Sequence, residues 1–248
     1  MFIYLDIETI PGQAPGLREE IAAGITPPGS MKRPETIAKW EAEEKPAAIE
    51  DAWRKTAFHG DRGEVVCIAW AIDRGAVQSV ARSPDPQHTE HTCERDVLEQ
   101  FFYELGHACR PRGGVVISPT FVGHNVRDFD LRFLFQRAVI HGVRPPVRLP
   151  HDSRPGAGDV FDTMTAWAGW GGRVSLDRLC RALGVDTKGS ELGGEEIDGS
   201  KVWDFVLAGR IADVATYCRA DVERVRTVHQ RLTFQRGMLA QQRTGTDA

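Results

Sequence analysis

The first eight residues constrain this chain most. Side chains alternate along Phe2 to Glu8, so Ile3, Leu5 and Ile7 share one face of a strand while Phe2, Tyr4, Asp6 and Glu8 share the other. A strand this apolar belongs at the centre of a sheet. Two carboxylates on one face of a central strand are costly to bury unless cations neutralise them.

The elements that would surround such a strand follow in order. Val65 to Asp73 and Ala76 to Ala81 read as a hairpin across Asp73-Arg74-Gly75, with the glycine supplying the turn conformation. Cys93 to Cys109 carries Val97, Phe101 and Leu105 at helical spacing, and Gly114 to Val122 reads as a buried strand. Leu131 to Ile140 is a second helix, 144–158 a Pro- and Arg-rich loop, and Val160-Phe161 a short apolar run. Ser175 is placed to cap a helix through Leu183. Ile211 to Leu232 draws an apolar stripe through Ala215, Cys218, Val222 and Val225, the clearest helix in the chain. Strands and helices sharing continuous core faces predict one α/β domain with a mixed sheet.

Between the first strand and the hairpin, about residues 11–63, the composition shifts. Six of the fourteen prolines fall between Pro11 and Pro46, and charged residues crowd the stretch from Lys32. We read an insertion with two short helices opened by Pro34 and Pro46, whose Trp40 and Trp53 anchor those helices rather than stack bases. The polar end, Gln241 to Ala248, is expected to fray.

Composition narrows the class of activity. A net charge of -4 speaks against coating nucleic acid through bulk positive charge, though not against gripping a short strand locally. The segment Arg127 to Arg154, where six arginines outnumber the aspartates, offers such a grip. The longest apolar run, Val65 to Ile72, is too short to span a bilayer, and Asp6 and Glu8 stand where a signal peptide would be apolar. Five cysteines without a CxxC pair suit a reduced, cytoplasmic location. His88, His91 and Cys93 lack a fourth zinc ligand, the glycines at 169, 171, 172, 193 and 194 match no nucleotide loop and read as turns, and Asp162 reads as structural.

Acidic residues then recur at informative places. Asn125 to Asp130 links a predicted strand to a predicted helix, and Tyr217 and Asp221 stand one turn apart on the last helix. Asp6, Glu8, Asp130 and Asp221 together are what two hard divalent cations about 4 Å apart require. The bland readings are a solvated strand end, a carboxylate at a helix N-terminus and a boundary tyrosine beside a surface aspartate.

The ordered set Asp-x-Glu, Asn-x-x-x-Phe-Asp and Tyr-x-x-x-Asp is similar to the three motifs of the DEDD 3'-5' exonucleases, and the tyrosine makes it resemble the DEDDy branch. The set is specific here, because Asn125 is the only asparagine and Tyr217 to Asp221 the only Tyr-x-x-x-Asp. Thr216 stands where the histidine branch would carry its histidine. The stretches Tyr4 to Thr9, Val122 to Asn125 and Tyr217 to Asp221 most resemble stand-alone exonucleases related to the proofreading domain of family B DNA polymerases.

The resemblance implies a ribonuclease H-like mixed β-sheet flanked by helices, and two divalent cations, Mg²⁺ or Mn²⁺. It implies that Asp6 bridges both cations, that Glu8 and Asp221 complete the site where water is activated, and that Asp130 supports the second cation. Tyr217, whose unperturbed pKa is near ~10, is expected to orient the attacking water rather than serve as base. Thr9, Ile10, Asn125 and Phe129 would meet the 3' end. The expected substrate is nucleic acid, single-stranded DNA 3' ends first, hydrolysed to nucleoside monophosphates. A 3'-5' exoribonuclease, an endonuclease of ribonuclease H type and a catalytically silent binding module are the alternatives.

Overall fold

The computed structural model of the protein describes residues 1–82, 93–110, 115–154, 156–187 and 199–235. β1 (Phe2–Ile10) is followed by α1 (Leu17–Gly24), α2 (Pro34–Glu43), α3 (Lys45–Arg54) and a 3-10 turn, Lys55–Phe58. The prolines open α2 and α3 as expected, but the segment holds a third helix, α1. Only Leu17 of α1 is buried, so it lacks the periodic stripe that would betray it. Trp53 donates from Nε1 to the Gly12 carbonyl at 2.9 Å, meets Trp203 edge-on, and carries the Arg18 guanidinium over its ring. Trp40 is buried as well. Trp53 therefore anchors the segment, and neither indole is open for a base to stack on.

β2 (Glu64–Ile72) and β3 (Gln78–Ala81) form the expected hairpin. Its left-handed residue is Asp73, at φ 48°, not Gly75. Aspartate tolerates that conformation, and here its Oδ1 also accepts from the Phe2 N–H at 2.7 Å, tying the turn to β1. α4 (Glu94–Cys109) precedes β4 (Thr120–Gly123), which is shorter than the predicted strand. Val115 and Val116 are exposed and outside any element, because Pro119 has no N–H with which to extend the ladder. One π-helical turn, Arg127–Leu131, leads into α5 (Arg132–His141), and β5 (Val160–Asp162), α6 (Thr163–Ala168), α7 (Leu176–Leu183), α8 (Val202–Leu207) and α9 (Ile211–Leu232) complete the order. Ser175 caps α7, accepting from the Arg178 N–H at 3.2 Å. His88, His91, Gly193, Gly194 and the 241–248 tail lie outside the described residues.

The five strands stand in the order β3-β2-β1-β4-β5, with β1 central. β2 and β3 are antiparallel to their neighbours, while β4 and β5 run parallel to β1. Both faces of β1 are covered. Ile3, Leu5 and Ile7 pack with Phe101 and Leu105 of α4 and Leu134 of α5. Tyr4 and Ile10 pack with Val214, Cys218, Val222 and Val225 of α9. No helix among the described residues is long and apolar enough to cross a membrane.

At the far end of the α9 layer, His229 is buried beside Phe2 and Phe161, its Nδ1 3.0 Å from the Tyr4 hydroxyl. Burial pushes its pKa below the ordinary value. The unfolded chain therefore takes a proton that the folded chain refuses: stability is full above about pH 6.5 and falls as pH drops toward the lowered folded value. His229→Gln keeps an acceptor for Tyr4 and is expected to flatten the urea midpoint between about pH 7 and about pH 5. An unchanged slope would assign that acid sensitivity to other groups.

Candidate active site

β1 outruns its parallel neighbour. Tyr4 is level with Val122, and β4 ends one residue later at Gly123, so the N–H of Ile7 has no strand to bond. Asp130 supplies the missing acceptor: its Oδ1 takes the Ile7 N–H at 3.0 Å. The chain between β4 and Asp130 turns tightly enough that a Cβ on Gly123 would come within 2.5 Å of Val126 Cβ. Asn125 then adopts left-handed backbone at φ 62°, which asparagine tolerates better than most residues, and its N–H donates to Asp162 at 3.0 Å.

A register shift between Glu8 and Thr9 bends the sheet beside this point. Asp6 and Glu8 face α9, where Cys218 donates its thiol to Asp6 Oδ2 at 3.4 Å. Ligand atoms of Asp6, Glu8 and Cys218 all lie within 4.8 Å of one another. Tyr217 and Asp221 are both buried and joined by a side-chain hydrogen bond. Arg224, one turn further, donates to Asp221 Oδ1 at 2.9 Å and to the carbonyls of Asp186 and Thr187.

The electrostatics record the crowding. Burial, then the charge of Asp6, raises the Asp130 carboxyl well above the ordinary aspartate value. Burial, then Glu8, Asp221 and Asp6, raises Tyr217, so it stays a neutral phenol. Burial and the neighbouring Cys67 raise the Cys218 thiol in the same way. A buried carboxyl that resists ionisation beside the charge of Asp6 belongs to a donor set suited to a hard cation. The protonated thiol is soft and a poor competitor for such an ion.

Asp6, Glu8, Asp130, Tyr217 and Asp221 are thus brought to one place from three distant segments. The other predicted contacts are placed less openly. Thr9 is buried, its hydroxyl donating to the Ala57 carbonyl at 2.7 Å, and Ile10 lies within the α9 layer. Phe129 is half-buried against Phe133, and Asn125 is half-buried. Asp162 caps α6 by accepting from the Met164 and Thr165 N–H groups, a structural role as expected. Arg224 and Cys218 were not singled out from sequence. An arginine three residues beyond an aspartate on one helix carries a usable signal for the first. The second has none, since Cys218 reads as one more apolar residue of the stripe.

Over residues 61–247 the chain matches the protein family described as predicted 3'-5' exonuclease related to the exonuclease domain of PolB. No curated protein matches it. Among solved structures it is similar to the family B DNA polymerase from the hyperthermophilic archaeon Pyrobaculum calidifontis, with a TM-score of 0.51 at 17% identity over 94% of this chain and 24% of that chain. The chain spans about a quarter of that polymerase's length. At such identity the likeness is one of fold, and the fold is the ribonuclease H-like mixed sheet with flanking helices that the motifs implied.

Proposed function

The chain belongs to the family of predicted 3'-5' exonucleases related to the exonuclease domain of PolB, and from that premise we propose that it is a metal-dependent exonuclease acting on single-stranded DNA 3' ends. The observation that carries the reading is the convergence of Asp6 and Glu8 from β1, Asp130 from the turn before α5, and Tyr217 with Asp221 from α9. A protein that only binds phosphates has no use for carboxylates gathered in this way.

In this reading Asp6, Glu8, Asp130 and Asp221 hold two divalent cations, Mg²⁺ or Mn²⁺. When bound, such cations lower the pKa of the attacking water and offset charge on the leaving 3' oxygen. Water adds to phosphorus, the 3' oxygen leaves with a proton, and a nucleoside 5'-monophosphate is released. Tyr217 stays protonated, gives its proton to a hydrogen bond with Asp221, and orients the water through its oxygen lone pairs. Arg224 positions Asp221 by clamping it to the chain after α7. In the same reading Thr9, Ile10, Asn125 and Phe129 are the residues assigned to the 3' terminal nucleotide. We take the chain as one domain, with 11–63 an insertion held by Trp53.

The test is a time course on a 5'-labelled single-stranded DNA oligonucleotide with Mg²⁺ or Mn²⁺ against EDTA, beside a matched RNA and a circular DNA. The expected result is a metal-dependent ladder shortening from the 3' end. Preference for RNA would move the substrate, cleavage of the circle would make it an endonuclease, and no cleavage of any substrate by folded protein would sink the reading. Tyr217→Phe removes one orienting contact and is expected to slow the ladder on the order of 10²-fold. Wild-type speed would free Tyr217 of that role.

A further inference from the structure

Beside the edge strand β5, the chain between α6 and α7 lifts an indole away from the core. Gly169 and Gly171 have φ of 80° and 77°, and the turn they make leaves Trp170 68% exposed. Its ring is not loose, because the Arg127 guanidinium sits 4.5 Å from the ring centroid. Arg127 is itself buried, held by Asp128 at 3.1 Å. Trp170 and Arg127 wall a recess of about 300 Å³ whose rim also carries Arg154, Ser153 and Thr165.

The recess adjoins the acidic cluster. Asp162 lines it, is paired in register with Gly123, and accepts from the Asn125 N–H. Asp162 is also close enough for its charge to act on Asp130. With β4 alone between β5 and β1, the backbone at Asp162 lies two strand spacings, about 10 Å, from β1. A fixed aromatic face with cations beside it suits a nucleotide: every base offers a π-face, and arginine meets the phosphate.

We propose that Trp170, braced by Arg127, is a stacking subsite for a base of the single-stranded DNA upstream of the bond being cut. It rests on the exonuclease reading and adds a substrate-binding residue to it. In this proposal a strand whose 3' end lies at Asp6 and Glu8 has to cross β4 and β5 to reach Trp170, which a longer strand does and its last nucleotides alone do not. Affinity should then depend on length through this residue.

The test uses the full chain in EDTA at low salt, where binding is read without hydrolysis. Fluorescence anisotropy follows a labelled thymidine decamer and a labelled dinucleotide. Trp170→Ala is expected to weaken the decamer about ten-fold and Trp170→Phe much less, in line with stacking by an aromatic ring. The dinucleotide should lose less than two-fold, and Tyr103→Ala, an exposed aromatic on α4, should not change decamer binding. Decamer binding unchanged in Trp170→Ala, an equal loss on both lengths, or no decamer binding by the wild type would each overturn the subsite. The cleavage assay separates the two readings: a chain that binds through Trp170 but never cleaves sinks the exonuclease, and one that cleaves but ignores Trp170 sinks only the subsite.

Discussion

Asp6→Ala is expected to lower the rate of 3' end cleavage at least about a thousand-fold, on the order of 4 kcal/mol of transition-state stabilisation. Asp6 is the carboxylate whose charge acts on both Asp130 and Tyr217, so it links the turn before α5 to α9. The fold should survive and gain in metal-free buffer. Asp130 is held above its ordinary range in the folded chain, so the unfolded chain releases that proton first and stability declines as pH rises past the unfolded value. Removing Asp6 takes away part of that burden. The wild type, by contrast, should gain about 2.7 kcal/mol from a cation at a hundred times its dissociation constant. Thermal unfolding with and without Mg²⁺ or Mn²⁺, beside the oligonucleotide ladder, reads both effects. A variant that still cleaves at a tenth of the wild-type rate, or is still stabilised by the cation, would take Asp6 out of the metal site.

The second large effect is on stability. Glu94, in the first turn of α4, is almost fully buried. Its oxygens accept from the Val65 N–H at 2.7 Å, from Arg137 Nε at 2.8 Å and from His141 Nε2 at 2.7 Å, and Arg137 donates onward to the Gly60 carbonyl. The network pins the start of β2 to α4, α5 and the end of the 11–63 segment. Burial alone would raise the Glu94 pKa, but the hydrogen bonds from Arg137 and Val65 outweigh it and hold it below the ordinary glutamate value. Its contribution is therefore complete above about pH 4.3 and lost as pH falls through the lower folded value. Glu94→Ala strands a buried guanidinium and should cost about 3–5 kcal/mol at neutral pH. Urea unfolding of the variant measures it, and a loss under about 1 kcal/mol would mean the pocket readmits water or Arg137 finds another acceptor.

Glu94 was invisible in the sequence because its value lies in Arg137, 43 positions away. The helix around it was legible from Val97, Phe101 and Leu105, whose spacing is local. The same divide runs through the site. Tyr217 and Asp221 share a helix face by periodicity alone, and Asp6 and Glu8 share a strand face. That Asp130 would take the Ile7 N–H depends on where β4 stops, which the tight turn after Gly123 decides. The overlong strand predicted from Gly114 and the helix missed at Leu17 fail for one reason: apolar content shows what can be buried, not which ladder or neighbour is there to bury it.

The central strand, the hairpin and the long last helix are legible in the residues alone, because each rests on a period of two, a turn signal or a turn of 3.6 residues, and the acidic motifs are legible as an ordered set. Only the tertiary structure decided that the carboxylates meet, that Arg224 holds Asp221, that Trp40 and Trp53 face inward, and that Trp170 stands outside with Arg127 at its face. Those are contacts between segments, and their geometry is set by strand order and layer packing, which local periodicity does not encode.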